Sequence, residues 1–483
     1  MKKDNISNKA DNTKDKAQEN HVKMTQTPVP SLILRLSCST VVSMLAGTTY
    51  NIVDMYFVSD LGTSAVAAVG ILFSVLAMIQ AVGYTFGMGA GRISRFLGEQ
   101  KEKEAGRDAS AAVLMALMAG LILMAAGFLW QKPLIDFLGS TDTIEIYALD
   151  YGFWILLTAP VMCVSYVLNN VLRAEGMPVW ALVGIGSGAV LNAVLDPILV
   201  SGLELGIRGA GIATFCGQSV SLAIMLIVML SGKSVIGLNK ADSNYKPAGI
   251  RVKIEKIKRE DKQRFQAFRQ TAIDITRTGI PSFFRQGLVC VATILLNRAA
   301  REYGDDVVAA ISVSNKVFAI LFAVMVGYGQ GFAPVAGYNY GAKKNDRVRK
   351  AIIFTILSQV IASAVTGVLV WIFASSIISL FGENAALELG VLSLRMHAVS
   401  LPFMAVCLVS GMLFQAIGEI GKAILISSTR QGIFFLPLIW LLPMYFQENG
   451  VAVTQGISDI LSGIFSLPFI LVAIHMCKKT GRK

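Results

Sequence analysis

"GTSAVAAVGILFSVLAMIQAV", residues 62–82, contains no Asp, Glu, Lys or Arg. A helix of about 20 apolar residues is long enough to cross the roughly 30 Å hydrocarbon core of a bilayer. Similar runs recur along all 483 residues, and only 15% of the chain is charged, whereas about a quarter is usual for a soluble domain. The sequence therefore predicts a polytopic, all-α membrane protein.

Charged or Gly/Pro-rich breaks between the apolar runs predict twelve transmembrane helices. These begin near residues 31, 65, 109, 144, 179, 209, 279, 307, 350, 387, 422 and 450. The longest polar stretch, 232–278, divides them six and six. It is predicted to be a basic linker helix on the cytosolic membrane surface.

The opening stretch has a second copy 242 residues further along the chain. "GTSAVAA" (62–68) aligns with "GDDVVAA" (304–310), and the same shift aligns Gly87 with Gly329 and Gly89 with Gly331. Six spans per copy is an even number, so both copies insert the same way up. This indicates a parallel internal repeat, with two six-helix lobes around a central cavity.

The predicted domains follow from this repeat. They are a disordered cytosolic N-terminal tail (1–30), a first lobe (31–231), the cytosolic linker (232–278), a second lobe (279–477) and a cytosolic C-terminal tail (478–483).

The basic residues predict the orientation. With the N-terminus inside, the inner tails and loops contain 34 Lys and Arg residues and the outer loops contain 4. The positive-inside rule then puts both termini in the cytosol, with the protein spanning the cell membrane many times. Anionic lipid head groups account for the net charge of +12, so no nucleic-acid partner is expected.

Several classes of site are excluded by the sequence. The six cysteines form no CxxC pair, the three histidines are scattered, and there is no GxSxG motif. "SGKS" (231–234) resembles the end of a phosphate loop, but Ile227 stands where that loop needs glycine. We therefore predict that the protein is not an enzyme and has no cofactor.

Two acids lie within the first-half spans, where an ionised carboxylate is costly and its presence indicates function. Asp54 follows Tyr50 by four residues, and Asp196 follows Asn192 by four, so each pair shares a helix face. Such oxygen-rich faces suit a proton or Na⁺.

The repeat supplies an internal control for these positions. The residues 242 positions after Tyr50, Asp54, Asn192, Asp196 and Thr214 are Ala292, Leu296, Phe434, Leu438 and Gly456. The second copy tolerates apolar or small residues at all five places. We therefore predict that folding does not require the polar set of the first copy.

The residue types in the second half predict the opposite chemistry. Its spans contain Arg285, Lys316, Arg395, His397 and Arg430, and we predict no central acid there. For each of these basic residues, we consider a structural role more probable than contact with substrate. A cavity with one acidic and one basic wall would nevertheless suit amphiphilic compounds.

The chain resembles the MATE (multidrug and toxic compound extrusion) family over almost its whole length. The resemblance rests on "YNIVDMYFVSDLGTSAVAAVG", "LRAEGMP", "LNAVLDPILV", "GIRGAGIAT", "FQAIGEIGKA" and "STRQGIFFLP", which occur in this order and spacing. It implies a secondary antiporter that exports amphipathic, often cationic compounds in exchange for H⁺ or Na⁺. The partners expected are small-molecule substrates and the lipid bilayer, and we expect a monomer.

Residue by residue, the resemblance implies a cation-coupling site at Asp54, Asn192, Asp196 and Thr214, with Tyr50 beside it. The first four would supply the ligands if the ion were Na⁺. It also implies that Asn169 faces substrate, and we add Arg285 and Lys316 as substrate-binding candidates.

Two departures from the family pattern indicate which branch of the MATE family the chain resembles. "LRLSCSTVV" lacks the early proline found in the first span of many members. The seventh and tenth spans contain Arg285 and Arg395 where members of the NorM type have acids. The pattern is closer to the branch that couples through the first lobe. The alternative function is a flippase for a lipid-linked precursor, which shares this repeat architecture.

Overall fold

A computed structural model of the chain describes residues 15–59, 61–138, 140–231, 234–236, 253–379 and 387–480. The side chains of residues 49–56 and 253–265 lie outside this description. Every regular element within these ranges is helical. The all-α prediction is therefore confirmed.

The first half begins with a helix over residues 15–26, which we call α1. It continues with α2 (Val29–Ser59), α3 (Thr63–Gly89), α4 (Arg92–Gly98), α5 (Glu102–Leu129), α6 (Gln131–Phe137), α7 (Asp142–Ala174), α8 (Pro178–Pro197), a π-helical turn (Ile198–Gly202) and α9 (Ile207–Leu230).

The second half contains the corresponding spans in the same order. It consists of α10 (Lys253–Arg301), α11 (Asp305–Gly341), α12 (Asn345–Ser379), α13 (Leu387–Ile417), α14 (Ile420–Ser428), a second π-helical turn (Thr429–Ile433) and α15 (Phe435–Thr480). Eleven apolar segments in the described residues are long enough to cross a membrane. The last of them, Ile420–Lys478, has 59 residues and is interrupted at Gln447, where φ is 50°. It therefore has room for two spans, in agreement with the twelve predicted.

Part of the predicted disordered tail is in fact ordered. Residues 15–26 form α1, in which Met24 and Thr25 are buried. The side-chain amide of Asn20 donates a hydrogen bond of 2.8 Å to the backbone oxygen of Glu175. The prediction was wrong for this segment because the few apolar side chains of α1 are enough to pack it against the protein.

The linker also differs from expectation in its described part. Residues 253–278 are helical and continue without a break into span 7 as the 49-residue helix α10. The polar stretch is therefore not a separate helix at this end, since its helix joins the following span directly.

The tertiary contacts define two compact units, and these do not follow the predicted lobe boundaries. Unit 1 contains Asp54–Ile280 together with the N-terminal residues up to Gln26, and unit 2 contains Thr27–Val53 and Pro281–Lys483. Most of span 1 thus belongs to unit 2, while the beginning of span 7 belongs to unit 1. The repeat explains why the two exchanged segments correspond to each other.

Glycines permit both exchanged segments to pack closely. A Cβ on Gly327 of α11 would lie 2.7 Å from the Cα of Val41, and Thr40 Oγ1 donates a 2.5 Å hydrogen bond to the Gly327 oxygen. In unit 1, a Cβ on Gly89 would lie 2.9 Å from the Ile275 side chain. These glycines serve helix packing, as expected for small residues at helix contacts in membranes.

The centre of each unit is formed by repeat-equivalent helices. The apolar window of α7 is 78% buried in unit 1, and that of α13 is 83% buried in unit 2, against 22–44% for the other spans. These two helices therefore form the cores against which the chemistry-bearing helices pack.

Candidate functional site

The structure brings together three of the predicted coupling residues in unit 1. Asn192 and Asp196 lie one turn apart on α8, and Thr214 lies on the neighbouring helix α9. All three are almost completely buried, with at most 1% of their surface exposed. The Asn192 side-chain nitrogen lies 3.4 Å from Asp196 Oδ1.

The amide orientation of Asn192 decides how this cluster is connected. With its side-chain oxygen and nitrogen exchanged, the nitrogen donates to Asp196 Oδ2 at 3.2 Å and the oxygen accepts from the Thr214 backbone N–H at 3.2 Å. We prefer this orientation because it satisfies both ends of a buried amide. Asn192 then links the Asp196 carboxylate to α9.

The helix geometry changes directly after this cluster. Pro197 ends the regular part of α8, and the next turn is π-helical, with Leu203 N–H donating to the Ile198 oxygen at 2.8 Å. Proline lacks a backbone N–H, and single π-turns often occur at functional sites. The site thus lies at a local break in the α-helical ladder.

The equivalent positions in unit 2 form apolar packing. Ala292 and Leu296, the counterparts of Tyr50 and Asp54, belong to a buried cluster with Phe435, Ile439 and Val451. Gly456, the counterpart of Thr214, packs so closely that a Cβ would lie 2.9 Å from the Met396 oxygen. The repeat unit therefore folds without the polar set.

The remaining predicted residues are distributed differently. Tyr50 and Asp54 lie in the helical backbone of α2, and their side chains are outside the described residues. Asn169 is buried on α7 and donates a 3.1 Å hydrogen bond to the Ala181 oxygen on α8, so its amide joins two helices. Lys316 is exposed on α11, and Arg285 lines a small pocket of unit 2.

The prediction that the second half has no central acid was wrong. Asp459 on α15 is completely buried, and its Oδ1 accepts a 2.6 Å hydrogen bond from Arg430 Nε and a 3.0 Å bond from Gln455. The signal was available in "GISDILSG" (456–463), an apolar run with one carboxylate. The sequence gives no signal for its pairing with Arg430, because the two residues are 29 positions apart in the chain.

Comparison with known proteins agrees with this architecture. The sequence model of the MatE family matches residues 40–198 and again residues 281–441, one match in each half of the repeat. The chain belongs to the MatE family.

Among curated proteins, the multidrug export protein MepA of Staphylococcus aureus (strain MRSA252) is 24% identical over 446 residues, which cover 92% of this chain and 93% of that protein. MepA of Staphylococcus saprophyticus is 23% identical over 439 residues, covering 90% of this chain and 92% of that protein. The matched regions thus cover more than nine-tenths of both curated relatives.

Solved structures support the same fold. An outward-facing multidrug resistance MATE transporter superposes with a TM-score of 0.83 at 23% identity, covering 95% of this chain and 99% of that chain. A transporter of Pyrococcus furiosus, described as having a binding pocket of reversed polarity, superposes with a TM-score of 0.84 at 22% identity, covering 95% and 98%. At 22–23% identity, these superpositions establish the fold of this MatE family member.

Proposed function

We propose that the protein is a multidrug efflux antiporter that exports amphipathic, chiefly cationic compounds in exchange for H⁺ or Na⁺. The observation that carries the coupling role is the buried Asn192–Asp196 cluster on α8, facing the Thr214 backbone. A buried carboxylate in a membrane helix, with leucine at the equivalent position of the repeat copy, is best explained by ion exchange.

The same cluster supports coupling through the first half. Asp54, with Tyr50 beside it, is the second carboxylate of this proposed site, and Thr214 offers a further oxygen. The described residues contain no group of three or more His, Cys, Asp or Glu that could hold a metal ion. If Na⁺ is the coupling ion, it would therefore need oxygens from Asn192, Thr214 or the backbone as well as carboxylates.

Substrate contacts are proposed for Asn169, Arg285 and Lys316. The names of the curated relatives favour drug export over the flippase alternative. The protein is proposed to act as a monomer in the plasma membrane, with both termini in the cytosol.

The test is gradient-driven export of ethidium, a fluorescent cation, from vesicles under separately imposed proton and sodium gradients. Asp54→Asn should abolish export while leaving the thermal unfolding temperature nearly unchanged, because the repeat copy has Leu296 at this place. The wild-type response also identifies which ion drives export.

Asp136→Asn is the matched control, since it removes an exposed carboxylate on α6 outside the proposed site. It should export normally. Export by Asp54→Asn at the wild-type rate under both gradients would contradict the coupling role. A loss of folding in that variant would make the carboxylate structural.

A further inference from the structure

Unit 2 contains a buried ion pair that is separate from the proposed coupling cluster of unit 1. Arg430 lies in the π-helical turn between α14 and α15, and Asp459 lies on α15. Their side chains are 8% and 0% exposed, and Nε of Arg430 is 2.6 Å from Oδ1 of Asp459. Charged groups at such depth in a membrane protein usually belong to a ligand or ion pathway.

The pairing is incomplete on the acidic side. Oδ2 of Asp459 is buried and has no hydrogen-bond partner. An arginine can hold both oxygens of a carboxylate with two parallel N–H bonds, and here the hydrogen bond goes to one oxygen only. The carboxylate is therefore held in a way that leaves an oxygen able to take up a proton.

The guanidinium is also held independently of Asp459. Its central carbon lies 4.5 Å from the centre of the Phe322 ring and 5.5 Å from that of Phe318. Cation–π contacts of this kind keep the arginine head in place when its anionic partner changes.

The repeat shows that folding does not require the pair. The residues 242 positions earlier are Gly188 and Gly217, which lie against each other where α8 crosses α9. A Cβ on Gly217 would lie 2.7 Å from the Gly188 oxygen. The equivalent helix pair thus packs without any side chains at these places, which argues for a role of the ion pair beyond packing.

A small pocket of unit 2 opens next to the arginine. Its polar lining comes from Arg285, Ser427, Arg430 and Gln431, and Leu408 and Gly411 contribute apolar surface. The side-chain oxygen of Gln431 is buried there without a hydrogen-bond partner. The guanidinium groups of Arg285 and Arg430 therefore line a single pocket and are the donors available there to an anion.

We propose that this pocket binds the carboxylate of an anionic amphiphile through Arg430 and Arg285, and that Asp459 is the exchangeable counter-ion of Arg430. Arg430 is already paired with one carboxylate, that of Asp459. A ligand carboxylate would bring a second negative charge to the same guanidinium. Repulsion between the two carboxylates then favours transfer of one proton from water to Asp459 Oδ2.

The titratable groups around the pair come from the packed helices. His397 and Cys407 of α13 are within electrostatic range of Arg430, and Cys407 is also within range of Asp459. His397 Nδ1 is hydrogen-bonded to the Ser393 oxygen at 2.8 Å, while its Nε2 has no partner. Asp459 is the group that bonds directly to Arg430 and would share its guanidinium with the ligand carboxylate. We therefore assign proton uptake to Asp459.

The experiment is calorimetric titration of the purified full-length protein with potassium 4-phenylbutanoate, using 4-phenylbutanamide as the neutral analogue. Running it at pH 7.5 in HEPES and in Tris, which differ in ionisation enthalpy, measures proton uptake. The wild type should bind the acid at least about tenfold more tightly than the amide, taking up about one proton per acid bound.

Two single variants separate the roles of the pair. Asp459→Asn should keep the preference for the acid but lose the proton uptake. Arg430→Gln should lose the preference for the acid. Equal affinities for acid and amide in the wild type would overturn the proposal, as would unchanged binding in Arg430→Gln or proton uptake that persists in Asp459→Asn.

A double variant keeps the test valid if Arg430→Gln does not fold. Arg430→Leu with Asp459→Leu removes both charges, a replacement that buried ion pairs often tolerate. The folded double variant should show no preference for the acid, and a retained preference would refute the site. Asp136→Asn, which removes an exposed carboxylate on α6 outside the lining of this pocket, should bind the acid like the wild type.

Discussion

At the scale of single residues, the two halves share a fold but have their buried polar and charged side chains at different positions. Unit 1 has its polar cluster at Asn192 and Asp196, where unit 2 has Phe434 and Leu438. Unit 2 has Arg430 and Asp459, where unit 1 has two glycines. The same pair of helices therefore carries one buried charged cluster in each unit, at a different depth along the helices.

A carboxyl group just beyond the end of span 4 is expected to make stability depend on pH. Glu175 follows the last residue of α7 and is completely buried. Its Oε1 accepts a 2.6 Å hydrogen bond from Ser234 at the start of the linker, and its Oε2 has no partner. Burial raises the pKa of Glu175 from 4.5 to about 7, against the opposing effect of the bonds from Ser234 and from the Ile236 and Val235 backbone.

The sign of the effect follows from proton binding. Between pH 4.5 and about 7 the folded state binds more protons at Glu175 than the unfolded state does, so stability falls as pH rises through this window. The full effect is roughly 3 kcal/mol. We expect Glu175→Gln, which keeps an acceptor for Ser234, to unfold at a higher temperature than the wild type at pH 8 and at a similar temperature at pH 5.

Thermal unfolding of the purified variants at both pH values checks this expectation. Glu302→Gln, which neutralises an exposed carboxyl group near the end of α10, should follow the wild type throughout. A difference between Glu175→Gln and the wild type that does not change with pH would refute the assignment to Glu175.

At the scale of helices, the exchange of half-helices between the units depends on close backbone approach. Span 1 contributes Ser37, whose hydroxyl donates a 3.0 Å hydrogen bond to the Tyr328 oxygen, and Thr40, which bonds to the Gly327 oxygen. Hydroxyl-to-backbone bonds of this kind need helices without intervening side chains. The glycines of α11 provide that surface.

Gly327→Ala should therefore lower the unfolding temperature. The added methyl group would lie 2.7 Å from the Cα of Val41, which is backbone that cannot rotate away. Overpacking of this kind costs about 1–3 kcal/mol. Heating the purified variant while following its unfolding measures the change.

Gly70→Ala is the control for this variant. Gly70 lies in α3 with nothing within 4 Å of a Cβ, and alanine is favoured over glycine in a helix interior by about 1 kcal/mol. It should leave stability unchanged or raise it. If Gly327→Ala behaved like Gly70→Ala, the close packing of span 1 on α11 would not matter for stability.

At the scale of the whole molecule, the charge distribution predicts one orientation in the membrane. Single cysteines can report it when they are introduced into a variant lacking the six native ones. Thr141→Cys, in an exposed segment before α7, should react with a membrane-impermeant maleimide in intact cells. The excess of basic residues on the opposite side predicts this result.

Lys103→Cys, exposed near the start of α5, is the matched position on the other side. It should react only after the membrane is permeabilised. Labelling of Lys103→Cys in intact cells, with Thr141→Cys protected, would show that the orientation is the opposite of the one predicted.

The sequence by itself determined the number and order of the spans, the repeat, and the two polar pairs of the first half, Tyr50 with Asp54 and Asn192 with Asp196. These are local or periodic properties, because the length of an apolar run and the spacing of side chains on one helix are set by nearby residues. The shift of 242 residues also showed in advance which polar positions the fold could do without.

Tertiary structure alone decided which distant residues meet. Arg430 reaches Asp459 because a π-helical turn and helix packing bring two spans together, and no local pattern encodes that contact. Span 1 packs with unit 2 rather than with its own half because glycines of α11 admit its backbone. Glu175 likewise becomes an unusual carboxyl group only when residues 234–236 pack against it and it is shielded from water.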